Sequence, residues 1–106
     1  MNKEIEERSF DFSIRIAELV QFLRTDKLGF PLCDRLLSCG VLAGLACREL
    51  GTDEKGRKKT VKEVTALVTE ADYIIEMASV AGYLTMEQSV HIRADCKSLL
   101  ELLAGE

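Results

Sequence analysis

The side chains best suited to chemistry are three carboxylates, Glu70, Asp72 and Glu76, and one histidine, His91. Di-iron four-helix bundles combine glutamates with a Glu-x-x-His motif on paired helices. Here Gln88 stands three residues before His91, so that motif is absent. No serine or cysteine stands at a spacing from His91 that would make a nucleophile–base pair. We therefore predict a non-enzymatic protein with no catalytic site, metal site, cofactor or small-molecule substrate.

The four cysteines, Cys33, Cys39, Cys47 and Cys96, do not form a Cys-x-x-Cys pair. The single histidine is not placed to complete a zinc ligand set with them. Three of the four fall on one predicted helix. We expect reduced, buried thiols that pack as small apolar residues; a disulfide or a zinc site is the alternative.

One basic cluster, Lys55, Arg57, Lys58 and Lys59, lies in a charged segment, residues 51–59, that is predicted to be a loop. Such a cluster can contact nucleic-acid phosphates, or it can serve only to keep the loop soluble. No aromatic residue interleaves with it, so base stacking is not indicated. The segment also lacks the Gly-Lys-Ser/Thr ending of a phosphate-binding loop.

Composition indicates one globular domain, residues 1–106, with 47% hydrophobic and 30% charged residues. The net charge of -4 gives no overall attraction to nucleic acid or to an anionic membrane. The highly charged start predicts a flexible segment over about residues 1–8 and no signal peptide. The longest uncharged run, residues 36–47, is shorter than the roughly 20 residues that a membrane-spanning helix needs. We expect a cytoplasmic protein without a membrane partner.

Hydrophobic spacing predicts four helices joined by short turns, over about residues 9–25, 31–50, 60–81 and 85–103. The third helix has an alternative start at Asp53. Thr85 and Gln88 form a capping box at the start of the fourth. Short turns favour antiparallel neighbours, so the predicted fold class is all-α, an up-down-up-down four-helix bundle.

The second predicted helix is apolar on nearly all sides, which requires burial on all sides. In a four-helix bundle one face of each helix points outward, so we predict that this face packs on another copy of the chain. Gly40 and Gly44 form a small-xxx-small pair that permits close approach of a helix, within or between chains. The predicted oligomer interface consists of Leu37, Gly40, Val41, Gly44, Leu45, Arg48 and Glu49.

Three stretches resemble the family of 23S ribosomal RNA intervening-sequence proteins, the S23 family. Residues 70–76 and 81–84 are similar to its third helix and the following turn, and residues 94–103 to its fourth helix. Gly40, Gly44 and the Arg48-Glu49 pair match its second-helix signature. The family usually has Arg where this chain has Ser38 and Asn where it has Ala46. The basic segment also replaces the family's usual start of the third helix.

The resemblance implies a ring-like homopentamer of four-helix bundles. Some family members are encoded inside insertions in ribosomal RNA genes. A related branch comprises the accessory proteins of diversity-generating retroelements, which bind nucleic acid and a reverse transcriptase. The expected function is a non-enzymatic oligomeric scaffold or interaction protein, with Arg48 and Glu49 at a subunit contact or lining a pore. The alternative is an RNA- or DNA-binding protein whose oligomer arrays the basic loops.

Overall fold

A computed structural model of the chain describes residues 3–25, 29–49 and 53–106. All regular structure in these ranges is helical: α1 Lys3–Thr25, α2 Cys33–Arg48, α3 Glu54–Val80 and α4 Met86–Ala104. Each helix packs on the next, and α4 returns to pack on α1. The predicted four-helix bundle is therefore confirmed. The predicted end of the second helix at residues 50–51 lies outside the described ranges.

The first helix begins six residues before its predicted start at Ser9, because its buried stripe continues toward the N-terminus. Ile5 and Ser9 are fully buried, in line with Phe12 and Ile16 one and two turns later. The Ser9 hydroxyl donates to the carbonyl of Glu6 and does not cap the helix. Residues 3–8 of the predicted flexible segment lie in α1, where the charged side chains flank the buried Ile5.

The two glycines of α2 meet α1 of the same chain. A Cβ added at Gly40 would lie 2.8 Å from Cβ of Ile16, and one at Gly44 would collide with the Ser13 hydroxyl. That hydroxyl donates to the carbonyl of Gly40 across the helix pair, at 2.6 Å. The small-xxx-small pair therefore serves close packing within the bundle.

The third helix uses the earlier of its two predicted starts. Asp53 caps it, accepting a hydrogen bond from the backbone N–H of Gly56 at 2.9 Å. Residues 54–59 are consequently helical, and the loop predicted there is wrong. The cap and the good helix-forming lysines and arginine outweigh the cost of Gly56, about 1 kcal/mol.

The turn between α3 and α4 follows its prediction. Gly82 has a φ of 89°, which favours glycine. Leu84 is buried, and the Tyr83 ring packs 5.0 Å from that of Phe30. The capping box is present, since Thr85 accepts from the N–H of Gln88 and the Gln88 side chain accepts from the N–H of Thr85.

Candidate interaction surfaces

The outward side of α2 carries large apolar side chains that nothing in the described structure covers. Leu36 is fully buried in the core, whereas Val41, Leu42 and Leu45 are each about half exposed. Their spacing of one, three and four positions places them on adjoining parts of the helix surface. The helix is therefore apolar on both its inner and its outer side, as predicted, and its outer apolar side is exposed.

The first helix extends this surface with Phe10 and Ile14, which lie one turn apart and are nearly half exposed. The Arg48 guanidinium lies 5.1 Å from the centre of the Phe10 ring, which joins the two helices at this point. We call the set Phe10, Ile14, Val41 and Leu45 the α1–α2 face. Contiguous exposed apolar surface of this kind marks an interaction site more often than scattered single residues do.

The structure separates the seven predicted interface residues. Gly40 and Gly44 are taken out of the interface, because both face α1. Val41 and Leu45 lie on the α1–α2 face, and Leu37 is partly buried beside it. Arg48 and Glu49 are exposed at the end of α2, where Arg48 lies over Phe10 and 3.9 Å from a carboxylate oxygen of Glu6.

Phe10 and Ile14 lie within the first predicted helix, residues 9–25, but neither belongs to the predicted oligomer interface. The available signal was that the apolar residues of this helix spread wider than one buried stripe. What the pattern could not supply is which neighbour stands beside them, because that depends on the angle at which α1 and α2 pack.

A second concave apolar surface lies between α3 and α4. This α3–α4 groove has a volume of about 610 Å³, and Val80, Met86, Val90 and Ala94 supply much of its apolar lining. Val80 and Met86 are the most exposed large apolar side chains in the described structure, at 84% and 76%. Lys97 also lines the groove. None of the residues that line this groove belongs to the predicted oligomer interface.

The predicted carboxylate cluster is divided between two arginines of neighbouring helices, Arg35 and Arg93. Glu70 accepts from Nε of Arg35 at 2.7 Å, and this bond holds the pKa of the Glu70 carboxyl below its ordinary value. Both oxygens of Asp72 accept from Arg93, at 2.9 and 3.2 Å. Glu76 is 3.9 Å from the same guanidinium. These carboxylates are therefore engaged in pairs between neighbouring helices.

In the described ranges no three His, Cys, Asp or Glu side chains are grouped as a metal site. His91 is exposed on α4. None of the described helices is both long and apolar enough to span a membrane.

All four cysteines are buried and free, as predicted. Burial raises the pKa of each thiol above its ordinary value of 9.0. The pKa reaches about 12 at Cys39, where the thiol also donates to Glu70, and about 12 at Cys96. Thiolate is the reactive form of cysteine, so these positions are chemically protected by the fold.

We expect the folded protein to react slowly with a thiol reagent at pH 8, and all four thiols to react promptly in denaturant.

Stability should also fall as the pH rises from about 9 toward about 12. In that window the unfolded chain releases thiol protons that the folded chain retains, so the unfolded state binds fewer protons and the free energy of unfolding falls. Titration of free thiols and urea unfolding across this range check both results. Fast labelling of the native protein would contradict the burial.

The basic cluster lies on helix α3 and not on a loop. Lys55, Lys58, Lys59 and Lys62 are exposed and are separated by three or four positions, so they share one side of the helix. We call these four residues the lysine face. Arg57, predicted as a member, is partly buried on another side. Lys62 was missed because the loop prediction concealed the helical spacing that links it to Lys55.

No family model and no curated protein matches the sequence. One solved structure that is similar is the crystal structure of a protein of unknown function from the S23 ribosomal protein family of Bacteroides thetaiotaomicron. The superposition has a TM-score of 0.89 and covers 95% of each chain, and the two sequences are 23% identical. The resemblance predicted from the sequence is thus confirmed in the fold: the chain has the four-helix architecture of this S23-family protein.

Proposed function

We propose that the protein is a non-enzymatic oligomeric scaffold or interaction protein of the cytoplasm, whose copies associate through the α1–α2 face. The observation that carries this proposal is the exposed apolar set Phe10, Ile14, Val41 and Leu45. Membership of the S23 family, the five-copy ring that it implies and the link to retroelement accessory proteins belong to the same proposal. The buried, reduced thiols fit a reducing compartment.

The energetics support an interface at this face. Burying the exposed half of a large aliphatic or aromatic side chain stabilises association by roughly 1 kcal/mol. The side chains stand on two rigid helices, so little backbone entropy is lost when they are covered. Arg48 over Phe10 adds a cation–π contact whose strength increases when water is excluded.

The test is light scattering on a sizing column with the double variant Val41→Asp/Leu45→Asp. We expect the wild-type chain to have the mass of an oligomer and this variant to have the mass of a monomer, because association would bury two unpaired carboxylates. Both positions are about half exposed, so the bundle itself tolerates the change.

The matched control is Thr69→Asp/His91→Asp, which adds two carboxylates at exposed helix positions away from this face. The control should keep the wild-type mass. A monomeric wild-type chain, or a Val41→Asp/Leu45→Asp variant that stays oligomeric, contradicts the proposal.

Nucleic-acid binding through the lysine face is the second candidate function. The observation that favours it is the placement of four exposed lysines on one side of the first three turns of α3, with Lys55 at the positive end of the helix macrodipole. Lys58 has Glu54 at 3.5 Å, and both are highly exposed, so this pair is weak and its opening to bind a phosphate costs little. An oligomer would repeat the face in every copy and concentrate positive charge on an acidic chain.

The corresponding experiment measures binding of a fluorescent single-stranded RNA by anisotropy at several salt concentrations. If the lysines contact phosphates, Lys55→Gln/Lys58→Gln/Lys59→Gln/Lys62→Gln should abolish binding. Single lysine substitutions should each reduce the magnitude of the slope of log K against log salt by about 0.7, the value for one phosphate contact to a single strand.

The control for this candidate is Arg57→Gln, since Arg57 is not on the lysine face. We expect it to leave the salt slope unchanged. RNA binding that survives loss of all four lysines contradicts the second candidate and leaves the scaffold proposal intact.

A further inference from the structure

The α1–α2 face and the α3–α4 groove lie on opposite sides of the bundle. Among the described helices, contacts join α1 to α2, α2 to α3, α3 to α4 and α4 to α1, with none across the diagonals. When four helices pack in this square arrangement, the side of the bundle formed by α1 and α2 is opposite the side formed by α3 and α4. A single contact with one partner therefore cannot cover both apolar surfaces of a chain.

The two surfaces complement each other in shape. At the α1–α2 face, four large side chains stand outward from two closely packed helices, held together by the glycine contacts with α1. The α3–α4 groove is concave, and its volume of about 610 Å³ can admit several side chains of that size. Val80 lines its α3 side, and Met86 and Val90 line its α4 side, where the flexible Met86 side chain can adapt to an inserted apolar group.

The surrounding charges complement each other as well. Glu49, the C-cap residue of α2, lies one turn after Leu45 of the α1–α2 face, and within the described residues it has no ion-pair partner. Lys97 lines the groove and likewise has none among those residues. Arg48 near the face and Glu76 in the groove are a second pair of opposite sign. Within its own chain, Arg48 lies over Phe10 and 3.9 Å from Glu6, and Glu76 is 3.9 Å from Arg93.

We propose that the α3–α4 groove receives the α1–α2 face of a second copy of this chain, with Lys97 of one copy beside Glu49 of the other. This inference rests on the proposed oligomer and assigns its second surface. The contact is heterologous: each copy offers its face to one neighbour and its groove to another. Assembly then proceeds head to tail, into a closed ring or a filament.

The test mixes two variants that are each blocked on one surface. Val41→Asp/Leu45→Asp removes the face, and Val90→Asp/Ala94→Asp removes the groove, all at exposed positions. We expect each variant alone to be a monomer by light scattering. An equimolar mixture should form a dimer and nothing larger, because only one intact face and one intact groove are available per pair. Native mass spectrometry with one variant labelled with ¹⁵N should find one copy of each.

The outcomes separate this inference from the proposed function. A groove variant that keeps the wild-type mass overturns the inference alone, since copies would then associate without the groove. A face variant that keeps the wild-type mass overturns the proposed function. Two monomeric variants whose mixture stays monomeric also overturn the heterologous contact, provided that circular dichroism shows both to be folded.

A charge exchange gives a second readout with little risk to folding. Glu49→Lys and Lys97→Glu should each lower the mass at a given concentration, because each places like charges together. The double variant Glu49→Lys/Lys97→Glu should restore it. If the double variant associates more weakly than either single variant, Glu49 and Lys97 do not meet and the proposed docking is wrong.

Discussion

Replacing Ile5 with alanine should lower the free energy of unfolding by about 2 to 4 kcal/mol, within the range for truncating a buried isoleucine. Ile5 is fully buried although it stands among exposed charged residues near the start of α1. Its side chain belongs to the core cluster, so truncation removes apolar contacts and opens a cavity. The measurement is urea unfolding followed by circular dichroism.

The control for Ile5 is Lys3→Ala, at an exposed position in the same first turn of α1. We expect it to change stability by less than about 0.5 kcal/mol. If Ile5→Ala is as mild as Lys3→Ala, residues 3–8 do not pack on the bundle, and the flexible segment predicted from the sequence would be right.

Replacing Gly40 with valine should cost about 3 kcal/mol, at the upper part of the usual range for overpacked cores. Even the first added carbon would lie 2.8 Å from both Cβ and Cγ2 of Ile16, and Cβ cannot move without its helix. The variant must therefore push α1 away from α2, which strains the Ser13 hydrogen bond to the Gly40 carbonyl. A fall in Tm of about 4 °C or more per kcal/mol is expected.

Two comparisons isolate the steric cause. Gly105→Ala is the matched control, because a Cβ there meets its nearest atom only at 3.5 Å. Ile16→Ala combined with Gly40→Val should cost less than the sum of the single changes, since truncation of Ile16 makes room for the valine. Strict additivity would show that the valine is not strained against Ile16.

Much of the fold follows from short-range pattern. Apolar residues at helical spacing defined the four helices, and the capping box marked the start of α4. These features depend on residues within about one or two turns of each other, so local chemistry suffices to predict them. The reduced state and burial of the cysteines followed from their spacing and their small apolar character.

The first residues of α1 and α3 were harder to predict from the sequence. Burial can extend a helix through residues whose composition is typical of solvent-exposed, irregular segments. The charged residues around Ile5 and the lysines after Asp53 both suggested irregular structure. In the fold, the core contact of Ile5 extends α1 to Lys3, and the Asp53 cap extends α3 to Glu54. Tertiary contacts and one side-chain hydrogen bond outweighed local composition at these two sites.

The sequence by itself determined that this protein is a four-helix bundle with more apolar helix surface than one bundle core can bury. Only the tertiary structure decided how that surface is divided: Gly40 faces α1, Val41 and Leu45 face outward, and Val80 and Met86 border a groove. The physical reason is that helical periodicity sets which residues share a side of one helix. Which side meets the core depends on the packing of all four helices at once.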